Sequence, residues 1–508
     1  MARFPADAGD TIYALSSAPG RGALAVIRIS GAGAFAALRA LCPEAATEPR
    51  KARRVWLREG GDGDGDGDGG GEPLDEAMAT CFRAPYSATG EDVVELSVHG
   101  GAAVVDGVLS ALGRIEGLRQ AEAGEFSWRS FLHGKRDLAQ LEGLADLMAA
   151  ESRAQRRLAL SHLGGGLGAA LAPLQESLTR LRGVLEAGLE FPDDVGGADY
   201  GALRSELSAL GATLDGLLRG ARLGARIRAG VEVVFLGMRN VGKSSLFNAL
   251  LGREASIVSP VSGTTRDLVE AAAEFSGMAM TCVDTAGLDE SGGGGGAGDG
   301  DGGVIADHGT IEREGMRRAR TAARRAAETG GVLVLVLDVG RLLSGEGAAA
   351  EREVLSGLLA SAGLDGGDGD GEAGRVVVAL NKSDLAEGLE SAAVVEMARG
   401  CLGVLGEYPC YAVSARTGSG LGEFAAGLSG AMEAGGGDGV LVARRRQRDE
   451  LGLARRAVSA AEELLGSGDG ELAAEELRTA GLALSRIFGG GDVESVLDSL
   501  FSEFCIGK

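Results

Sequence analysis

The feature that most constrains the fold is a predicted strand followed directly by a glycine loop and a helix. Val231 to Leu236 is an apolar, β-branched run, which is typical of a buried parallel strand. Residues 237–244 then read GMRNVGKS, and Leu246 and Leu250 continue at helical spacing. Such glycines let backbone N–H groups face phosphates, and the helix N-terminus adds positive potential. The segment therefore predicts a nucleotide-phosphate site on an α/β sheet.

In a loop of this kind the lysine bridges the β- and γ-phosphates and the following serine binds Mg²⁺. These residues are Lys243 and Ser244. The residues that we expect at the phosphates are, in chain order, Asn240, Val241, Gly242, Lys243, Ser244 and Ser245.

Four further motifs follow in the order that a GTP-binding domain requires. SGTTRD, at 262–267, contains Thr264 and Thr265, and Thr265 could reach Mg²⁺ and the γ-phosphate. VDTAG, at 283–287, places Asp284 at the end of a strand and provides the N–H of Gly287. VVVALNKSD, at 376–384, predicts a buried strand that delivers Asn381, Lys382 and Asp384 to guanine, and VSARTG, at 413–418, closes the base pocket with Ser414 and Ala415. Together they predict a Ras-like GTPase domain over 230–433.

Ras-type enzymes place a water-orienting glutamine directly after DTAG. Here that position is Leu288, which cannot activate water, so the catalytic group must come from elsewhere. Asn240 is a second clue, because a carboxamide there can help hold a monovalent cation near the phosphates. The alternative is a turn-forming asparagine.

Composition limits the partners of the chain. The net charge is −23 over 508 residues, so any RNA contact requires a local basic patch. Two arginine clusters, 153–157 and 444–448, are candidates for tRNA or partner contact, or else solvated helix faces. The six cysteines form no C-x-x-C pair, which favours a reducing compartment, and no apolar run approaches about 18 residues, so no membrane span is expected. Glycine- and aspartate-rich tracts read as loop insertions or linkers.

Longer stretches resemble the MnmE/TrmE family of tRNA-modification GTPases. They include DTIYALSSAPGRGALAVIRISG, YSATGEDVVELSVHGG, AGEFSWRSFLHGKRDLAQLEGLADLM and the final FCIGK. The resemblance implies a multidomain α/β protein: an N-terminal α/β domain (1–132) that binds a tetrahydrofolate derivative and dimerises, an all-α helical domain in two halves (133–229 and 434–508), and the Ras-like domain inserted between them. Leu- and Ala-rich helical spacing from 158 to 223, and again after 444, independently supports the nesting.

The resemblance also implies potassium-stimulated GTP hydrolysis when two GTPase domains meet in a homodimer. The positions that match potassium ligands are Asn240, Ser259, Val261 and Thr264. The family's water-orienting glutamate matches Glu312 in TIEREG, with Glu314 as a rival because a glycine tract lengthens the preceding segment.

Four positions match the family's folate site: Arg28, Glu95, Lys135 and Lys508. Cys505, in the terminal CIGK, sits where a prenylation box would place its cysteine, but Gly507 and Lys508 break that pattern. Ordinary burial is the plain alternative. The resemblance implies instead a cysteine that is required for tRNA modification and not for GTP hydrolysis.

The function implied is addition of a carboxymethylaminomethyl- or taurinomethyl-type group to the 5-position of wobble uridine, with an FAD-dependent partner of the MnmG/GidA type. The compartment would be a bacterial cytoplasm, a mitochondrion or a plastid. One alternative is a ribosome-assembly GTPase of the Era type, which usually carries a basic RNA-binding module; another is a membrane-linked GTPase switch, which lacks an anchor here.

Overall fold

The computed structural model describes most of the chain in two compact units. The described residues are 9–45, 47–59, 71–191, 199–260, 269–284, 308–344, 348–363, 375–386, 388–433, 442–491, 496–497, 500–501, 504 and 507. The first unit comprises residues 1–145, 162–171 and 481–508, and the second comprises 146–161 and 172–480. The glycine-rich tracts lie almost wholly outside the described residues.

The strands and helices follow one another in the chain as listed here. The strands are β1 (Thr11–Leu15), β2 (Leu24–Ser30), β3 (Arg53–Arg58), β4 (Pro73–Phe82), β5 (Val93–His99), β6 (Leu118–Gln120), β7 (Val231–Leu236), β8 (Ala255–Pro260), β9 (Val269–Phe275), β10 (Met278–Asp284), β11 (Val332–Asp338), β12 (Val376–Asn381) and β13 (Cys410–Ala412). The helices are α1 (Ala34–Leu41), α2 (Ala102–Gly113), α3 (Glu125–Leu132), α4 (Leu138–Met148), α5 (Arg153–Leu163), α6 (Gly166–Glu190), α7 (Tyr200–Ala229), α8 (Lys243–Glu254), α9 (His308–Thr329), α10 (Val339–Ser344), α11 (Ala348–Ser361), α12 (Ser391–Leu402), α13 (Leu421–Glu433), α14 (Arg445–Ser467) and α15 (Gly470–Ile487).

The first unit is built on a sheet in the order β3-β4-β5-β2-β1-β6. Its neighbouring strands are antiparallel, except that β1 and β6 are parallel. Because side chains alternate along a strand, Ile27 and Ile29 enter an apolar core with residues of α1 and α2. Arg28 lies on the opposite face, directly across from Glu95 of β5.

A second apolar cluster in this unit joins α3 and α4 to the C-terminal residues. Trp128 and Leu141 pack there with Leu500, Phe501 and Phe504. Gly124 has φ +81°, and a Cβ at this position would lie 2.7 Å from the Cβ of Phe501. The close approach therefore requires glycine, and it holds the end of the chain against α3.

The second unit contains a sheet in the order β13-β12-β11-β7-β10-β9-β8. Strands β13 to β10 run parallel, and β9 and β8 are antiparallel additions at one edge. Apolar cores cover both faces of this sheet, as expected for parallel strands. The predicted strand 231–236, the strand predicted within 376–384 and the strand ending at Asp284 are confirmed. The carboxyl ends of β7, β11 and β12 therefore meet along one edge, where open α/β sheets bind ligands.

Long helices form the rest of the second unit. Gly224 of α7 approaches the segment before α14 so closely that a Cβ would lie 2.2 Å from the Val442 carbonyl oxygen. Further along, Arg455 of α14 donates to Asp215 of α7 at 2.9 Å. The helical pattern predicted for 158–223 is confirmed by α5, α6 and α7, and α14 and α15 confirm the pattern that resumes near 444. None of the helices in the described residues is long and apolar enough to cross a membrane.

Candidate functional site: a guanine-nucleotide pocket and a second polar site

The glycine loop between β7 and α8 brings backbone groups very close to neighbouring strands. A Cβ on Gly237 would lie 2.3 Å from the Val336 carbonyl oxygen, and one on Gly242 would lie 2.3 Å from Asn381 Nδ2. Gly242 also has φ +91°. Larger residues would push the loop away from β11 and β12, so the glycines set the width of the phosphate cradle.

Lys243 begins α8 with its ammonium group turned back over this loop. The side chain is 6% exposed, and Nζ donates to the carbonyl oxygens of Gly237 at 2.8 Å and Met238 at 3.0 Å. Ser244 is half-buried and Ser245 is exposed in the same first turn. The ammonium group thus lies within the cradle, where its charge can meet phosphate oxygens.

Asn381, at the end of β12, connects the glycine loop to the loop after β13. Its Nδ2 donates to the Val241 carbonyl oxygen at 2.8 Å, and its Oδ1 accepts from the Ala415 N–H at 3.2 Å. The side chain is 1% exposed. The residue therefore ties together the two loops that we expect to hold phosphate and base.

Lys382 also contacts the glycine loop, and it pairs with Asp338, a residue that no sequence motif indicated. Its Nζ donates to the Asn240 carbonyl oxygen at 2.7 Å and pairs with Asp338 Oδ2, also at 2.7 Å. Asp338 ends β11 and is 6% exposed, and its other oxygen accepts from the Gly340 N–H at 2.9 Å. The sequence did carry a signal for Asp338. It is an acidic residue at the end of the strand that precedes the NKSD strand.

Asp384 presents a carboxylate whose two oxygens already accept hydrogen bonds. The Ser414 hydroxyl donates to Oδ1 at 2.6 Å, while Arg416 donates to Oδ2. The hydrogen bond from Ser414 lowers the pKa of Asp384, and the one from Arg416 lowers it further. The group is therefore an ionised acceptor at neutral pH, suited to the paired N–H donors of guanine. Arg416 was not singled out in the sequence.

Several predicted nucleotide residues are described in part or not at all. Asn240 is exposed, has φ +64°, and its side chain makes no hydrogen bond with a described residue. The backbone places Asp284 at the end of β10, Ser259 in β8, and both Glu312 and Glu314 in α9. Val261, Thr264, Thr265 and Gly287 lie outside the described residues.

The predicted folate residues of the first unit begin with a cross-strand ion pair. Arg28 donates to Glu95 Oε1 from Nε at 3.0 Å and from Nη2 at 2.8 Å. The guanidinium lies 5.6 Å from the centroid of the Phe126 ring. Both bonds reach one carboxylate oxygen, so Oε2 of Glu95 accepts no hydrogen bond from a described residue.

Lys135 lies on the turn between α3 and α4 and donates to the Pro85 carbonyl oxygen at 2.8 Å. The next residue, Arg136, is half-buried and pairs with none of the described carboxylates. Burial lowers the pKa of Arg136, and the nearby charge of Arg28 lowers it further. Two guanidinium groups thus face the same region, which suits an anionic ligand better than an apolar one.

The C-terminal tail returns to β1 at Gly507. The Ser16 hydroxyl donates to the Gly507 carbonyl oxygen at 2.8 Å. Gly507 has φ +100°, and a Cβ there would lie 2.0 Å from the Leu15 carbonyl oxygen. Ala14, two residues before Ser16, pairs with Arg28, so the tail ends beside the strand that carries the ion pair. Cys505 and Lys508 lie outside the described residues.

Comparisons with known families cover both units. The profile described as "GTP-binding protein TrmE N-terminus" matches residues 11–135, and the one described as "MnmE helical domain" matches residues 138–505.

Curated proteins match over almost the whole chain. The "5-taurinomethyluridine-[tRNA] synthase subunit GTPB3, mitochondrial" of Mus musculus is 39% identical over 98% of this chain and 93% of its own length. The "tRNA modification GTPase MnmE" of Parvibaculum lavamentivorans is 39% identical over 98% of this chain and 100% of its own length. That of Rhodospirillum rubrum is 41% identical over 98% and 99%. With two family models that match 11–135 and 138–505 and with curated relatives that match 98% of its length, the chain belongs to the MnmE/TrmE family of tRNA modification GTPases.

Proposed function

We propose that this chain is the GTP-hydrolysing subunit of an assembly that modifies the 5-position of the wobble uridine in certain tRNAs. The observation that carries the proposal is the connection of phosphate loop and base loop through Asn381, in a chain whose first unit holds a separate polar site. A GTPase switch alone has no need of that second site. The names of the matched relatives support tRNA uridine as the substrate class.

GTP is bound in this proposal by two groups of residues. Lys243, with the backbone of Val241, Gly242 and Ser245, holds the phosphates, and release of its ammonium group from the Gly237 and Met238 carbonyls accompanies binding. Asp384 accepts from guanine, while Ser414, Ala415 and Asn381 shape the base pocket. Adenine is rejected because it lacks the paired N–H donors that a carboxylate accepts.

Two cations complete the phosphate site. Ser244 and Thr265 would hold Mg²⁺, Asp284 would support the metal site, and the Gly287 N–H would donate to the γ-phosphate. Asn240, Ser259, Val261 and Thr264 hold K⁺. The exposed carboxamide of Asn240 suits that role, because its left-handed backbone turns Asn240 outward while its carbonyl oxygen remains bonded to Lys382. Bound cations neutralise charge that develops on the phosphates.

Replacing potassium with sodium tests the monovalent site. We expect GTP turnover to fall at least several-fold in sodium at equal ionic strength, because the smaller ion fits the oxygen ligands poorly. Asn240→Ala should remove the difference between the two salts. Equal rates of the unaltered protein in both salts would exclude Asn240 from a cation role.

Water is oriented by Glu312 at the start of α9 in this proposal. Glu312→Ala should abolish most hydrolysis while GTP binding, measured by calorimetry, is retained. Glu314→Ala is the matched control, two residues further along the same helix. If the control loses hydrolysis and Glu312→Ala retains it, the register of the assignment is wrong by two residues.

The folate derivative is bound by Arg28, Glu95, Lys135 and Lys508 in the first unit. Oε2 of Glu95 accepts no hydrogen bond from a described residue, which suits the N–H donors of a pterin, and the cationic side chains of Arg28, Lys135 and Lys508 suit a glutamate tail. Cys505 acts in the modification step and not in hydrolysis. We therefore expect Cys505→Ser to keep GTPase activity and to lose wobble-uridine modification; retained modification would make Cys505 structural.

The assembly and its domains are also part of the proposal. The ranges 1–132, 133–229, 230–433 and 434–508 are assigned as folate-binding, first helical, GTPase and second helical portions. Two copies of the chain form a homodimer, and an FAD-dependent partner of the MnmG/GidA type supplies the flavin. The compartment is a bacterial cytoplasm or an organelle, in keeping with the bacterial and mitochondrial relatives.

Nucleoside mass spectrometry tests the function directly. Total tRNA from cells that lack the protein should contain unmodified wobble uridine in place of the substituted base, and the unaltered gene should restore it. The Asp384→Asn variant serves as a control in which guanine-nucleotide binding is weakened, and circular dichroism checks that it folds. An unchanged nucleoside profile in the deletion strain would refute the proposed function.

A further inference from the structure

The two arginine clusters of the sequence, 291 residues apart at their starts, meet in the second unit. Asp146 Oδ1 accepts from Arg228 Nε at 2.8 Å and from Arg444 Nη2 at 2.8 Å. The end of α7 and the start of α14 therefore share one carboxylate. Close backbone approach of Gly224 to Val442 keeps the same two helices together.

Helix α5 joins this meeting point through Gln155. Its Nε2 donates to the Arg228 carbonyl oxygen at 3.1 Å. Ala154 and Leu158 of α5 are buried, whereas Arg156 and Arg157 are exposed. Because residues three and four apart share one face of a helix, the buried side fixes α5 and leaves both arginines in solvent.

Positive charge exceeds negative charge here. Asp146 forms ion pairs with two arginines, and Asp449 forms ion pairs with two more, Arg445 at 3.4 Å and Arg448 at 3.8 Å. Arg156 and Arg157 form no ion pair with a described residue. We define the arginine surface as Arg156, Arg157, Arg228, Arg445 and Arg448, with Arg444 behind it, because the Arg444 side chain is only 11% exposed. Glu151, exposed before α5, and Glu450, half-buried next to Asp449, are further carboxylates nearby in the chain, so these six arginines outnumber four carboxylates.

We propose that the arginine surface binds the phosphate backbone of tRNA. This inference rests on the proposed function, in which tRNA is the substrate. The chain carries a net charge of −23, which disfavours RNA binding by the protein as a whole, so binding requires a local excess of cations. Guanidinium groups donate two parallel hydrogen bonds to phosphate oxygens, and the ends of the three helices that carry these arginines are joined through Asp146 and the Arg228 carbonyl oxygen.

The test measures binding of a fluorescently labelled tRNA transcript to the full-length protein by anisotropy. Arg156→Glu/Arg157→Glu reverses two charges on α5, and Arg445→Glu/Arg448→Glu reverses two on α14. We expect each variant to weaken binding at least about 10-fold at 0.1 M salt and to lower the log–log salt slope by about 1 to 2. Circular dichroism and GTP hydrolysis check that both variants fold.

The matched control is Arg204→Glu/Arg478→Glu, which makes the same change in net charge. Arg204 lies 24 residues before Arg228 on α7, about 36 Å away along the helix axis. The control should bind tRNA within about threefold of the unaltered protein. Equal weakening by control and test variants would overturn the inference, because net charge alone would explain it.

Failure of the inference is separable from failure of the proposed function. If the unaltered protein restores wobble-uridine modification but the test variants bind tRNA normally, the inference is wrong and the function stands. If those variants bind tRNA normally but lose modification in cells, the surface docks a partner protein, which also overturns it. Loss of tRNA binding together with loss of modification, in variants that still hydrolyse GTP, supports it.

Discussion

Replacing Asp384 with asparagine should change which purine nucleotide the pocket accepts. The Ser414 hydroxyl accepts from the Thr417 N–H at 3.1 Å and donates to Asp384 Oδ1 at 2.6 Å, so its proton direction is fixed. In Asp384→Asn the carboxamide oxygen must stay on that side, which places the amide nitrogen where Oδ2 now lies and displaces the exposed Arg416 side chain that donates to Oδ2. One of guanine's two N–H donors would then face another donor. Xanthine presents a carbonyl oxygen at that position and would accept the bond.

The magnitude follows from the groups involved. Loss of a hydrogen bond to a charged acceptor costs about 1.5–3 kcal/mol, and an unpaired buried donor costs about 1–3 kcal/mol more. GDP binding should therefore weaken by about 2.5–6 kcal/mol, or roughly 10²- to 10⁴-fold. XDP should bind the variant more tightly than GDP does, as measured by isothermal titration calorimetry with both nucleotides. GDP affinity within threefold of the unaltered protein would show that Asp384 does not read the base.

Three further outcomes are expected. Arg416→Ala should tighten GDP binding roughly 1.5- to 5-fold, because an exposed ion pair of about 0.2–1 kcal/mol no longer competes for Asp384; weaker binding would mean that Arg416 contacts the nucleotide. Because the Asp384 pKa is lowered from its ordinary value of 3.8, its contribution to GDP affinity should persist from pH 8 to pH 5 and be lost only as pH falls through that lowered pKa; a decline centred above that ordinary value that Asp384→Asn removes would contradict this. Gly507→Ala should displace the tail from the Leu15 carbonyl and abolish modification without loss of GTPase activity. The control Gly481→Ala, which has open space around its Cβ position, should retain both modification and GTPase activity. Modification retained by Gly507→Ala would refute a role for the tail position.

Local sequence was enough to predict the elements that carry the nucleotide motifs. The apolar run 231–236 became a strand with those bounds, and the segment 376–384 contains a strand over Val376–Asn381, because buried parallel strands need continuous apolar residues and little else. The strand that ends at Asp284 was placed correctly for the same reason. Motif order along the chain then specified which strand ends must meet.

Pairings between distant residues could not be predicted in this way. The bond from Lys382 to Asp338 depends on β11 lying beside β12, and the bond from Arg416 to Asp384 depends on the path of a loop. The sequence shows that residue 507 is glycine, but it does not show that the backbone of Gly507 must adopt a positive φ next to Leu15. Likewise, nothing in the sequence placed Arg228 and Arg444 on one aspartate. Each of these contacts joins residues whose separation is set by tertiary packing.

The turn between β9 and β10 gives the GTPase sheet a direct mechanical connection to the helices. The Ala154 N–H of α5 donates to the Gly277 carbonyl oxygen at 2.8 Å, and Arg153 pairs with Glu274 at 3.3 Å. At its other end the same hairpin closes with Val269 opposite Asp284. A seven-residue ladder spans about 20 Å and resists bending because its strands are cross-bonded throughout. The hairpin is thus a rigid connection that can transmit a displacement along its length. One end lies at the residues expected near the γ-phosphate, and the other lies at the start of the helix that carries Arg156 and Arg157.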